Sequence, residues 1–160
     1  MRLRSKISML LLAVLTACTQ VAPMEATLSS SGYTSADLAC LSEALYFEAR
    51  GTGYEGERAV GEVILNRASD SRFPATVCGV IDQRYNGSCQ FSYRCDAIPN
   101  DRFNEPAELA KMRSISLELL VDRKEDITNG ALFFHAASMR PGWFATLSKR
   151  GRFGGNIFYR

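Results

Sequence analysis

The apolar segment from Leu41 to Gly51 constrains the fold more than any other part of the chain. At about 100° per residue, Glu48 would lie roughly 20° from Leu41 and about 60° from Leu45 around a helix. A second apolar face consists of Cys40, Ala44 and Phe47. A helix that is apolar on two faces has to be enclosed by other elements, so the sequence predicts a central helix that stops at Gly51.

The position of Glu48 among apolar neighbours has a chemical consequence. A carboxylate held against apolar side chains is costly to ionise, so its pKa should rise. A glutamic acid that keeps its proton near neutral pH can act as a general acid, which indicates cleavage of a sugar polymer. Two alternatives stay open: Glu48 could be a structural carboxylate paired with Arg50 or Arg67, or Glu43, about 140° away on the helix, could be the acid.

The first seventeen residues have the character of a lipoprotein signal peptide. A basic start is followed by an apolar stretch, Ile7 to Leu15, that is too short to span a bilayer. The residues that end at Cys18 resemble a lipobox, which implies diacylation of Cys18 and stable anchoring of the periplasmic protein. The residue after Cys18 is Thr19 rather than Asp, so the resemblance to lipoprotein sorting signals favours the outer membrane. A plain secretory signal with an incidental Cys18 is the alternative.

Removal of this segment changes the charge of the chain. The whole sequence carries 19 basic and 17 acidic residues, but three of the basic residues belong to the signal peptide, so the remainder has a formal net charge of −1. The remainder therefore has no basic excess that would suggest a nucleic acid partner. Residues 18–33 are rich in Ala, Thr and Ser and predict a flexible tether. Residues 34–160 predict one domain, expected to be a monomer.

Four cysteines remain once Cys18 is set aside, namely Cys40, Cys78, Cys89 and Cys95. In an oxidising periplasm this even number predicts two disulfides, with three possible connectivities. The favoured pairing is Cys40–Cys78, which joins the first helix to the segment after the second, and Cys89–Cys95, which closes a short loop. A zinc site is the competing interpretation. Because the spacing lacks a Cys-x-x-Cys and the chain has one His, we expect no metal and no cofactor.

Periodicity predicts three long helices and a small β region, an α+β fold that is mostly helical. The predicted helices run from Thr34 or Ser35 to Arg50, from Glu55 to Arg67 and from Glu105 to Arg123, with a short helix from Pro74 to Gln83. Residues 84–104 predict a surface excursion with a hairpin at residues 90–93. Short strands are predicted at residues 131–135 and 156–159.

An ordered series of motifs from Leu38 to Tyr159 resembles the SleB/CwlJ-type cell-wall hydrolases, a family first associated with breakdown of the spore cortex. The pieces are residues 46–51, 54–56, 59–67, Phe73-Pro74-x-Thr76-Val77, 89–92, 134–136, Pro141-x-Trp143 and 158–159. Each piece is weak alone, but their order is specific. One departure is Asn156, which stands where the family often has a His and which cannot titrate.

The resemblance implies a lysozyme-like catalytic domain that cleaves peptidoglycan glycan strands, as a lytic transglycosylase or a muramidase. Glu48 would be the single general acid and base. A transglycosylase needs no second carboxylate, because the 6-hydroxyl of the sugar itself attacks the anomeric carbon, whereas hydrolysis would require a water-activating partner. Candidate partners are Glu55, Glu57, Asp82 and Asp96, none of them obvious from the sequence, which favours transglycosylation.

Contacts with the glycan are predicted for Gln90, Phe91, Ser92, Tyr93, His135, Trp143 and Tyr159. The alternatives are a structural loop at residues 90–93, a core histidine and a core tryptophan. Three other function classes are open: a cell-wall peptidase with His135 as base and a cysteine nucleophile, a zinc amidase, and a peptidoglycan-binding lipoprotein without activity. An even set of cysteines argues against the first, and a single His argues against the second.

Overall fold

Helices form the core of the fold, and short strands cover one side of it. The computed structural model describes residues 21–96, 103–140 and 142–160. The helices in these ranges are α1 (Val21–Ser30), α2 (Ser35–Glu48), α3 (Gly53–Ala68), α4 (Val77–Ile81) and α5 (Pro106–Val121). The strands are β1 (Arg84–Tyr85), β2 (Ser88–Cys89), β3 (Phe133–Ala136), β4 (Lys149–Phe153) and β5 (Asn156–Tyr159), and 3-10 helices span Ser92–Arg94 and Gly142–Thr146. The predicted fold class, α+β and mostly helical, is confirmed.

Helix α2 is the central helix that the sequence predicts. A capping box fixes its start: the Asp37 amide donates to Thr34 Oγ1 (3.1 Å) and the Thr34 amide donates to Asp37 Oδ2 (3.0 Å). Apolar side chains along α2 are buried, and the helix packs against α3, α4 and α5. It ends at Glu48, before the left-handed Gly51 (φ 80°). The enclosure of α2 therefore brings Glu48 to the edge of the core.

Residues 21–30, which the sequence analysis assigns to the tether, form α1 instead. Leu28 is fully buried, and Met24, one turn earlier, packs against the same core. The Tyr33 amide donates to Leu28 O (3.0 Å) where the helix ends. The composition of the segment is weakly apolar, but packing against α5 gives it order that no local pattern reveals. No helix within the described ranges combines the length and apolar character needed to cross a bilayer.

The β region differs from the prediction in two places. The hairpin lies at β1 and β2, before residues 90–93, with Asn86 and Gly87 in the left-handed conformation at its turn (φ 50° and 82°). The other sheet has the order β3-β5-β4 and is antiparallel throughout. Its strand β4 was not predicted, because a mostly charged and exposed edge strand lacks an apolar alternation.

A partly buried polar network joins α3 to the loop between α5 and β3. Asn66 Nδ2 donates to Asp126 Oδ2 (2.9 Å) and to Ala131 O (3.1 Å). Asp126 also accepts hydrogen bonds from the Thr128 amide (2.9 Å) and the Gly130 amide (2.7 Å). Because β3 begins three residues after Gly130, these contacts fix where β3 starts relative to α3.

Two carboxyl groups of this region, those of Glu62 and Asp126, shift each other's pKa. Burial raises the pKa of Glu62 to about 8, and the neighbouring Asp126 adds to the effect. Burial alone would raise the pKa of Asp126, but hydrogen bonds from Glu62, Thr128, the Gly130 amide and Asn66 hold it well below its usual range. The two pKa values are therefore pushed apart, so that Asp126 ionises at a lower pH than Glu62 does.

Two disulfides are present among the described residues, Cys40–Cys78 and Cys89–Cys95, which is the pairing that the sequence analysis favours. The first joins α2 to α4 across a sequence separation of 38 residues. The second closes a separation of 6 residues around Gln90 and Phe91.

We expect the double substitution Cys40→Ser/Cys78→Ser to lower the free energy of unfolding by about 2–4 kcal/mol, because the bond restricts a long loop of the unfolded chain. Thermal unfolding under non-reducing conditions measures the effect. The matched control is Cys89→Ser/Cys95→Ser, whose short loop should give a smaller loss. A melting temperature of the native protein that reducing agent leaves unchanged would contradict the pairing.

Candidate active site

A cavity of about 580 Å³ lies at the C-terminal end of α2, within the size range of small-molecule sites. Its walls come from α2, α3, the β1–β2 hairpin, β3 and the segment before β4. The described residues that line it are Glu48, Arg67, Tyr85, Gln90, Phe91, Phe133, Phe134 and Leu147. Most of these side chains are apolar or aromatic, and Glu48 contributes the one carboxyl group in that set.

Glu48 is half-buried and has no ion pair or side-chain hydrogen bond with any described residue. Its neighbours in sequence and space have other partners: Arg50 pairs with Glu105 (2.7 Å), and Arg67 Nε donates to Leu132 O (2.7 Å). Burial raises the pKa of Glu48 above its ordinary value. The arrangement is that of a carboxylic acid that can hold a proton and deliver it into the cavity.

A second, smaller cavity of about 290 Å³ continues from the first one. The two cavities share Tyr85, Gln90 and Phe133, and the second is also lined by Arg72, Phe73 and Gln83. The exposed ring of Tyr85, 67% accessible, stands at the junction. Together the cavities form a groove that leads from Glu48 toward Arg72, an extended shape that suits a polymeric substrate.

The structure brings two of the predicted substrate residues to this groove. Gln90 and Phe91 line it, held by the adjacent Cys89–Cys95 bond. Ser92 is exposed on the 3-10 helix, and Tyr93 is buried in a stack with Phe47, with ring centroids 4.7 Å apart. Neither of these last two belongs to the lining that the structure describes.

The other predicted substrate residues lie on or near the β3–β5 sheet. His135 and Tyr159 are buried with stacked rings, and His135 Nε2 lies 3.1 Å from Tyr159 Oη. His135 Nδ1 lies 2.8 Å from Ala136 O. Neither side chain lines the groove, nor does the buried Asn156. Trp143 belongs to the Gly142–Thr146 3-10 helix, but its side chain lies outside what the structure describes.

The rival carboxylates lie outside the groove. Glu43 pairs with Arg94 (2.8 Å), which also pairs with Asp82 (2.5 Å). Glu57 is fully buried against Lys111 (2.6 Å). Glu55 and Asp96 are exposed. Within the described ranges, no cluster of three or more His, Cys, Asp or Glu side chains is suited to a metal ion.

Five residues of the cavity were not identified from the sequence, namely Arg67, Tyr85, Phe133, Phe134 and Leu147. The Asn86-Gly87 dipeptide is the signal that could have placed Tyr85, because it favours a two-residue hairpin turn and so sets the strands on either side. Arg67 carries no such signal beyond its place in a helical motif. The place of Arg67 in the cavity wall depends on which aromatic side chains the fold brings around it.

Residues 51–159 match the family described as Cell Wall Hydrolase. The matched range begins three residues after Glu48, so the case for Glu48 depends on the geometry of the cavity. The chain is 31% identical over 127 residues to a spore cortex-lytic enzyme of Oceanobacillus iheyensis, an alignment that covers 79% of this chain and 42% of the relative. It is 33% identical over 135 residues to the enzyme of the same description from Halalkalibacterium halodurans, covering 84% and 38%.

A solved structure shares the fold. The catalytic domain of the germination-specific lytic transglycosylase SleB from Bacillus anthracis superposes with a TM-score of 0.63 and 28% sequence identity. The alignment covers 81% of this chain and 98% of that domain. The chain thus spans less than half the length of the two curated relatives, but nearly the whole of a solved catalytic domain. The predicted resemblance and the lysozyme-like fold are confirmed.

Proposed function

This chain belongs to the Cell Wall Hydrolase family, and on that premise we propose that it cleaves peptidoglycan glycan strands as a lytic transglycosylase. The observation that carries the proposal is the unpaired, half-buried Glu48, the one carboxyl group among the described residues of the cavity. Similarity to a domain described as a lytic transglycosylase supports the same reaction class.

In the first step Glu48 acts as a general acid. Its carboxyl group donates a proton to the glycosidic oxygen, the bond from that oxygen to the anomeric carbon breaks, and positive charge develops on the sugar ring. Burial raises the pKa of Glu48 and so shifts it toward the protonated form that this step requires.

In the second step the same side chain acts as a general base. The carboxylate left on Glu48 accepts the proton of the 6-hydroxyl group, and that oxygen bonds to the anomeric carbon to give a 1,6-anhydro sugar. Glu48 is then protonated again, and no water is consumed. The described residues of the cavity fit this route, because they include no second carboxylate to activate a water molecule.

Groove residues that the chemistry does not use would hold the glycan. The amide of Gln90 can both donate and accept hydrogen bonds with hydroxyl and acetamido groups. The exposed ring of Tyr85 offers an apolar face for a sugar ring at the junction of the two cavities. We propose no direct contact for Tyr93, His135 or Tyr159, which lie buried away from the groove.

We also propose that the protein acts in the periplasm as a monomer, attached to the outer membrane by a lipid on Cys18. Residues 1–17 would be removed as a signal peptide, and Cys18 itself lies outside the described residues. Two disulfides support an oxidising compartment. Because α1 packs on the domain, it would shorten the reach of the tether from the membrane.

Digestion of purified sacculi, followed by mass spectrometry of the soluble products, tests the reaction. We expect muropeptides that end in 1,6-anhydro sugars. Products with reducing ends would identify a hydrolase, and free stem peptides would identify an amidase or peptidase; either result contradicts the transglycosylase proposal. Binding to sacculi without soluble products would indicate a peptidoglycan-binding protein that lacks activity.

A further inference from the structure

Arg67 is a buried cation in the wall of the cavity. Only 6% of the surface of Arg67 is accessible to solvent, and the residue lines the same cavity as Glu48. Three aromatic rings surround the guanidinium: its Cζ lies 5.3 Å from the ring centroid of Phe73, 5.8 Å from that of Phe91 and 5.6 Å from that of Phe133. The rings stabilise positive charge to a limited extent and exclude water from it.

Arg67 has no counterion among the residues that the structure describes. Its hydrogen bonding there consists of the bond from Nε to Leu132 O. Neither Nη atom is sealed in the core without a partner, so the end of the guanidinium opens toward the cavity that it lines. Burial lowers the pKa of Arg67 to about 10, which still leaves it charged at neutral pH.

Buried charges that serve only the fold are normally paired, because an unpaired ion in a low dielectric is costly. Among the described residues that line the cavity, Arg67 is the one basic group and Glu48 the one acidic group, and the two do not form an ion pair. Arg67 therefore presents to the cavity a positive charge that no described residue pairs with. An anionic group of a bound ligand would neutralise this charge.

We propose that Arg67 binds the free lactyl carboxylate of a muramic acid residue, so that the enzyme prefers glycan strands whose stem peptides have been removed. This inference depends on the proposed function, since it names the substrate class of the same site. Among the groups of a glycan strand, the lactyl carboxyl is an anion when the peptide is absent and a neutral amide when the peptide is attached. A planar guanidinium matches a carboxylate with two parallel hydrogen bonds, a stronger contact than one with a neutral carbonyl.

Two ligands separate this proposal from its alternatives. Both are glycan oligomers without stem peptides; in one the lactyl carboxylates are free, and in the other they are converted to primary carboxamides. Calorimetric titration of the Glu48→Gln variant gives the Kd of each without consuming the ligand. At about 0.15 M salt, where general electrostatic attraction is screened, we expect the carboxylate form to bind at least about tenfold more tightly.

The variants assign that preference to Arg67. Arg67→Gln in the Glu48→Gln background should abolish the difference between the two ligands, and Arg67→Lys should retain part of it because the positive charge remains. Arg113→Gln is the matched control: Arg113 is exposed on α5, lines neither cavity and should leave the preference unchanged.

The results that overturn the proposal are separate from those that overturn the transglycosylase reaction. Equal affinity for the carboxylate and carboxamide ligands contradicts the carboxylate site, whether or not the Arg67 variants fold. A preference that survives Arg67→Gln also contradicts it. Neither result bears on the proposed reaction, which stands if digestion of sacculi still yields anhydro products. If anhydro products are missing, the reaction proposal fails, and the affinities for the two ligands still test the role of Arg67.

Discussion

Glu48→Gln is expected to lower the rate at which soluble products are released from sacculi by about 100- to 10,000-fold, the usual contribution of a general acid. Gln has nearly the same shape but cannot give up a proton to the glycosidic oxygen. Because Glu48 makes no hydrogen bond or ion pair with a described residue, the substitution should leave the melting temperature nearly unchanged. Binding to sacculi should also persist.

The matched control is Glu43→Gln on the same helix. Glu43 pairs with Arg94 and does not line the cavity, so this variant should keep most of its activity. Product release is measured by liquid chromatography, and sacculus binding by co-sedimentation. Retained turnover in Glu48→Gln, or loss of turnover in Glu43→Gln with a normal melting temperature, would move the catalytic role away from Glu48.

Asp126→Ala is expected to lower the free energy of unfolding by about 3–5 kcal/mol, the loss typical of breaking a buried charged network. The substitution removes the side-chain acceptor of the Thr128 and Gly130 amides, which are partly buried. It also removes one acceptor of Asn66 Nδ2, which keeps its bond to Ala131 O. It also leaves Glu62 without its nearby carboxylate. Urea unfolding measures the change.

Asp122→Ala is the control for this substitution, because Asp122 is exposed and its pair with Lys124 (3.6 Å) is solvent-accessible. We expect its effect to stay within about 0.5 kcal/mol. The pKa of Asp126 is held below its usual range, so its stabilising contribution is complete above about pH 4 and is lost as the pH falls toward the lowered pKa. The difference between native and Asp126→Ala proteins should therefore shrink in acid, and equal losses for both variants at neutral pH would contradict the role of the network.

The sequence predicts the parts of the fold that have strong local signals. The Thr34 cap, the glycine after α2 and the two apolar faces are sufficient to place α2 and Glu48. Helix α1 could not be predicted, because its stability comes from packing Leu28 onto the core rather than from its own composition. Strand β4 was not predicted for a related reason: it pairs with β5 through its backbone, and its side chains stay mostly exposed.

The cavity was harder to predict than the helices, because its residues come from elements that are distant in the chain. Gln90 and Phe91 were found through a motif, but Arg67 and Phe133 become neighbours only when β3 is fixed against α3. A glycan contact of His135 stays a prediction. Its motif suggests a place near the substrate, whereas the side chain stacks on Tyr159 within the sheet region.

The raised pKa of Glu48 is the physical claim on which the mechanism depends. Carboxyl carbon NMR of the full-length protein, with isotopically labelled Glu and the Glu48→Gln variant to assign the signal, measures that pKa directly. We expect the midpoint of the Glu48 titration to lie above the ordinary glutamate value of 4.5. A midpoint at or below 4.5 would mean that the side chain is ionised in the resting enzyme, and it would contradict its role as the proton donor.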